Sequence, residues 1–149
     1  MQKKQRRFDE EITDLIPHRP PMLLINRLES VDSATSSAIV LIDEKTPFFE
    51  KTHGVPSWIG LEYMGQTAAL IAGYQAQIGK LKDHLGYLIG ARQYRVKQSY
   101  FMPNLPLLIR CQQAALVGES LVKFDCTITD ISNNKEIANA TLSVFRQLL

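Results

Sequence analysis

Cysteine is scarce in this sequence. The two cysteines, Cys111 and Cys126, stand fifteen residues apart in apolar alternating segments. No CxxC and no Cys/His cluster with zinc spacing accompanies them, which excludes the common zinc-ribbon and dithiol signatures. A secreted disulfide and a pair of reduced, buried thiols both fit this spacing; the second is our reading. An excess of charge of one sign is also lacking. Lys and Arg total 17 against 15 Asp and Glu, so the net charge of +2 offers no electrostatic case for bulk nucleic-acid binding. Long apolar runs are missing as well. The longest, from Trp58 to about Ile78, is broken by Glu62, Gln66, Gln75 and Gln77, too polar for a membrane span. The opening residues carry Lys3, Lys4, Arg6 and Arg7 with no apolar segment behind them, unlike a secretory signal. The expectation is a soluble, cytoplasmic protein with no membrane partner.

The 149 residues suit one domain, and a chain of that length buries about two thirds of its unfolded surface without staples. Hydrophobic residues at 45% and charged residues at 21% exclude wholesale disorder. No repeat, low-complexity tract or linker divides the chain, so we read residues 1–149 as one domain with a polar arm over 1–12.

Proline at 17, 20 and 21 argues against regular helix around His18 and Arg19. Met22 to Leu28 reads as a strand and Ala34 to Ile42 as its partner, with a turn around Ser30–Ser33. A loop with turn chemistry follows from Asp43 to Pro56. Trp58 to Gly79 is the one long helix, with Ser57 as the expected N-cap. Gly60, Gly65, Ala68, Ala69, Ala72, Gly73 and Ala76 make this helix rich in small residues, which let other backbone approach closely. Lys80 to Gly86, including His84, reads as a polar loop.

Beyond it the period changes to two. Tyr87–Tyr100, Leu105–Leu116, Leu121–Asp130 and Glu136–Arg146 read as strands, with turns at Pro103-Asn104, Gly118-Glu119 and Asn133-Asn134. Short connections imply antiparallel neighbours. The fold class is α+β: an antiparallel sheet of about six strands wrapped around one central helix. The helix's remaining apolar face calls for a second subunit, so at least a dimer is expected.

The run Leu15-Ile16-Pro17-His18-Arg19-Pro20-Pro21-Met22-Leu23-Leu24-Ile25-Asn26-Arg27 resembles the opening of hot-dog-fold 3-hydroxyacyl-[acyl-carrier-protein] dehydratases. Pro56-Ser57-Trp58-Ile59-Gly60-Leu61-Glu62-Tyr63-Met64-Gly65-Gln66 resembles their central helix, where an acidic residue is followed four positions on by glutamine. Leu88–Arg92 and Tyr100–Pro103 match too, and the whole looks closest to the short dehydratase-like proteins of aryl-polyene clusters. The resemblance implies a hot-dog fold and loss of water from a 3-hydroxyacyl thioester to give a trans-2-enoyl thioester. It implies no metal and no organic cofactor. The partner implied is an acyl carrier protein bearing the substrate on phosphopantetheine. The active sites would lie at a dimer interface, with histidine from one subunit and the acid from the other.

Such an elimination needs a base for the α-proton, an acid for the leaving hydroxyl and donors for the thioester oxygen. Glu62, one turn into an otherwise apolar helix, is the acid candidate; apolar surroundings would favour a proton-donating carboxyl. Its alternative role is a simple charge at a helix N-terminus. Gln66 shares its face and could hold the carboxyl or the thioester arm, or merely bond a nearby loop. His53 is the base candidate. Here the sequence departs from the family: the His-Phe-Pro-Gly motif is absent, Phe48 stands where that histidine would fall, and His53 lies nine residues before Glu62. A solvated loop histidine is its alternative role. The amides of Ser57 and Trp58 are oxyanion candidates. Arg92, Arg95 and Lys97 could steer an acidic carrier protein, or guard a strand edge. By the resemblance the segment around His18 is structural or lines the entrance. A thioesterase and a non-catalytic carrier-binding partner are the rival functions.

Overall fold

The alternation in sequence sets the sheet. The computed structural model describes residues 8–82 and 84–148, the side chains of 84–89 and 148 aside. The basic residues Lys3, Lys4, Arg6 and Arg7 lie outside the described residues. In chain order the elements are α1 (Glu10–Leu15), β1 (Arg27–Val31), β2 (Thr35–Leu41), β3 (Val55–Pro56), a 3-10 turn (Ser57–Ile59) running into α2 (Gly60–Gln77), β4 (His84–Val96), β5 (Tyr100–Phe101), β6 (Pro106–Val117), β7 (Leu121–Asp130) and β8 (Lys135–Leu148). Six strands form one antiparallel sheet in the order β1-β2-β6-β7-β8-β4, and β3 pairs with β5 separately. Helix α2 packs against all six strands of the large sheet. This is the hot-dog arrangement expected. Val122, Phe124, Cys126 and Ile128 of β7 are buried, as the period of two requires, and the buried apolar side chains form one cluster from Ile12 to Leu142. Cys111 and Cys126 face each other across β6 and β7 as free, buried thiols, and the Cys126 thiol donates to the Cys111 sulfur at 2.9 Å. Burial pushes the Cys111 thiol well above its ordinary range.

Four local expectations need correction. The polar arm ends sooner than residue 12: Glu10–Leu15 is a helix whose Ile12 is completely buried. The strand expected from Met22 begins only at Arg27, because the backbone of Met22 and Leu24 bonds the Gln66 side chain and not another strand. The loop expected over Lys80–Gly86 gives way to β4 at His84. The strand expected over Tyr87–Tyr100 stops at Val96, and Tyr100 and Phe101 pair instead with Pro56 and Val55.

The small residues of α2 do what their size allows. A Cβ at Gly73 would collide with the backbone of Leu15, so α1 crosses α2 in direct backbone contact there. A Cβ at Gly60 would strike the Tyr94 hydroxyl, which donates to the Ser57 carbonyl and pins the start of the helix to β4. Burial pushes the Tyr94 hydroxyl up to about 12. Leu61, Gly65, Ala69, Ala72 and Ala76 remain a half-exposed stripe along α2.

Candidate active site

Glu62 sits in the first turn of α2, where the helix dipole favours a carboxylate. Its side chain is 41% exposed, so the apolar seclusion expected for it does not hold within one protomer. Gln66, one turn on, is completely buried. Its amide nitrogen donates to the Met22 carbonyl at 2.8 Å and to Glu62 Oε1 at 3.2 Å, while its oxygen accepts from the Leu24 amide at 2.8 Å. Gln66 thus bonds the loop and the Glu62 carboxyl at once. All of its donor capacity is used.

The loop it grips carries His18. Arg19 fastens the other end, donating from Nη1 to the carbonyls of Ile16 and His18, both at 2.8 Å, and from Nη2 to that of Thr13 at 2.9 Å. Held between these clamps, His18 Nε2 lies 3.9 Å from Glu62 Oε1. Burial is the main cause holding the imidazole below its ordinary value of 6.5; nearby Glu62 pulls the other way and Arg19 adds to the depression. His18 is thus neutral at pH 7, and its approach to Glu62 is not an ion pair. Sequence reasoning set His18 aside. The available signal was the flanking prolines, which keep it out of helix and strand on a rigid loop.

His53 is placed elsewhere. It is exposed, in the turn before β3, with Nδ1 2.7 Å from the Thr52 hydroxyl and its ring 4.8 Å from that of Tyr100. Among the described residues nothing links it to Glu62 within one protomer. Ser57 does not act as the expected side-chain cap, since it falls inside the 3-10 turn and makes no capping bond. Its amide is also unavailable as an oxyanion donor, because it donates to the Ser99 carbonyl at 2.9 Å. Trp58 stays at the helix opening, 64% exposed, with its ring 6.2 Å from that of Phe48.

Arg92, Arg95 and Lys97 are all exposed. A bulge in β4 matters here. Arg92 pairs with Thr141 and Arg95 with Asn139, residues two apart on β8. Three residues of β4 therefore span two of β8, and both arginines reach the sheet's outer face while Tyr94 turns inward. On that face a polar cavity of about 640 Å³ is lined by Arg92, Arg110, Asp125, Thr127, Asn139 and Thr141 among others; Glu62 is not part of it.

A sheet closed on a single helix that offers a carboxyl at its first turn defines a hot-dog protein with an acid-bearing helix. Similarity to known proteins narrows the class. The ApeP-like family, described as ApeP dehydratase, matches residues 10–148, and the chain belongs to that family. The 3-hydroxyacyl-[acyl-carrier-protein] dehydratase FabZ of Anaeromyxobacter dehalogenans is 33% identical over 84 residues, 53% of this chain and 54% of that protein. FabZ of Erwinia tasmaniensis is 36% identical over 95 residues, 60% and 62% of the two chains. The chain thus spans about half the length of the first of these relatives. Among solved structures, the dehydratase heterocomplex ApeI:P from Xenorhabdus doucetiae matches with a TM-score of 0.82 at 23% identity, covering 91% of this chain and 90% of that one. A hypothetical thioesterase from Streptococcus pneumoniae, with coenzyme A, matches at 0.63 and 12% identity, over 80% and 84%. These structural likenesses concern the fold. No helix among the described residues is long and apolar enough to cross a membrane.

Proposed function

We propose that the protein dehydrates 3-hydroxyacyl-[acyl-carrier-protein] to the trans-2-enoyl thioester in fatty-acid or polyene-type biosynthesis. The observation that carries this reading is the Glu62–Gln66 pair, with the carboxyl at a helix opening and the amide locking it to the His18 loop. Family membership and the dehydratase relatives support the same chemistry. Glu62 protonates the leaving hydroxyl, and the Trp58 amide is the remaining candidate donor for the thioester oxygen. The base is His53 of the partner subunit, since elimination needs a proton acceptor opposite the acid and His53 is exposed to meet one. Arg92 and Arg95, brought to one face by the bulge, together with Lys97 are our candidates for meeting an acidic carrier protein in the cytoplasm.

The test is mass spectrometry of 3-hydroxyacyl-[acyl-carrier-protein] incubated with the protein. Loss of one water is expected from the wild type. Glu62→Gln should lower turnover by at least about 100-fold, the scale of a general acid, without unfolding the protein. Full activity in that variant would remove Glu62 from the reaction.

One observation favours a second reading. The His-Phe-Pro-Gly motif is absent, and the similar Xenorhabdus structure is a dehydratase heterocomplex, ApeI:P. A subunit contributing Glu62 to a second, different hot-dog chain fits that pattern. Unchanged substrate mass with the protein alone, and loss of water once the second chain is added, would select it.

A further inference from the structure

The dehydration reading leaves His18 without a task, although it is the ionisable side chain nearest to Glu62 in the hydrogen-bonded site. The gap of 3.9 Å between His18 Nε2 and Glu62 Oε1 exceeds a direct hydrogen bond. An oxygen atom about 2.8 Å from each would fit across it. His18 Nδ1 is buried and makes no hydrogen bond among the described residues. An orphaned buried N–H is rarer in proteins than an under-satisfied acceptor, so the proton of the neutral ring belongs on Nε2, toward Glu62. Both sides of the gap are fixed. Gln66 holds the carboxyl, and Arg19 and Gln66 hold the loop.

We propose that His18 is a further catalytic residue, a neutral Nε2–H donor that grips the substrate's 3-hydroxyl together with Glu62. This rests on the dehydration reading above. In the reaction the base removes the proton from C2, and that electron pair forms the C2–C3 double bond as the C3–O bond breaks. Glu62 transfers its proton to the departing oxygen, which leaves as water. His18 donates a hydrogen bond to that oxygen as charge develops on it, and keeps its own proton. A group aimed at developing charge stabilises the transition state more than the bound substrate, so it shows in kcat before KM.

The experiment compares wild type, His18→Ala and His18→Gln, each confirmed folded by circular dichroism. Gln places an amide N–H near the position of Nε2; Ala places none. The first readout is dehydration of 3-hydroxyacyl-[acyl-carrier-protein]. His18→Ala should lower kcat by about tenfold, the worth of one hydrogen bond of this kind, with KM changed less, and His18→Gln should recover most of the loss. The second readout is binding, in the Glu62→Gln background, of a 3-hydroxyacyl-pantetheine against the saturated acyl-pantetheine of equal length. The hydroxyl should tighten binding several-fold, and His18→Ala should abolish that preference. Wild-type kcat in His18→Ala, equal losses in Ala and Gln, or an undiminished preference would overturn the role of His18. No turnover by the wild type, with the preference present and lost in His18→Ala, would instead overturn the dehydration reading alone.

Discussion

Gln66 bears more of the site than its neutral side chain suggests. It is completely buried and serves the Met22 carbonyl, the Leu24 amide and the Glu62 carboxyl at once. Gln66→Leu keeps the volume but strands two backbone groups, each costing about 1–3 kcal/mol. We expect a loss of about 3 kcal/mol in urea unfolding, and a larger fall in activity than the residual folded fraction explains, because the His18 loop comes free. The Glu62–Gln66 pairing was legible in sequence, since a spacing of four puts two helical residues on one face. The partnership of Gln66 with Met22 and Leu24 was not, because periodicity says nothing about a contact bridging more than forty residues. For the same reason the approach of His18 to Glu62 went unread: the two residues lie more than forty positions apart in the chain.

At the scale of elements, strands with clean alternation were read to within a few residues, β7 at both ends. Alternation reports burial on one face, and that face exists for β7. The apolar run at Met22–Asn26 misled, because the Met22 carbonyl and Leu24 amide bond the Gln66 side chain and not a strand, and in β4 the bulge between Arg92 and Arg95 breaks the period. Helix α1 escaped notice because one turn and a half with a single buried residue has almost no pattern. Its seat can be tested. Gly73→Ala gains about 1 kcal/mol of helix propensity. The added methyl meets the Leu15 backbone, which has no rotamer with which to yield. Such overpacking costs about 1–3 kcal/mol. The net expectation is a lower urea midpoint, with α1 lifted from α2 and loosened amide protection over Glu10–Leu15. A raised midpoint would show that α1 is not pressed against Gly73.

For the whole molecule, the general architecture was legible because one buried helix and a set of alternating strands leave few ways to bury both. The strand order was not, since nothing local tells β4 to pair with β8 in preference to β5 or β6. The half-exposed stripe Leu61, Gly65, Ala69, Ala72 and Ala76, with Trp58 and Phe48 exposed nearby in sequence, leaves apolar surface of the kind that subunit contacts cover. Sedimentation should therefore find a dimer or larger, and Trp58→Ser should shift it toward monomer; a monomeric wild type at micromolar concentration would require a different partner chain.

The sheet order also has a consequence in time. Strand β4 lies at an edge and, among the described strands, finds its mate only in β8, yet it carries the tyrosine that steadies the opening of α2. A ribosome makes the loop, the acid-bearing helix and β4 well before it makes β8. Until then β4 has no neighbour, and the start of the helix lacks its brace. A chain lacking β8 leaves β4 without its partner in the sheet, and its bare backbone groups are a template for pairing with another chain. A chain cut before β8 is therefore expected to be cleaved by added protease faster than the full chain, with the first cuts in β4.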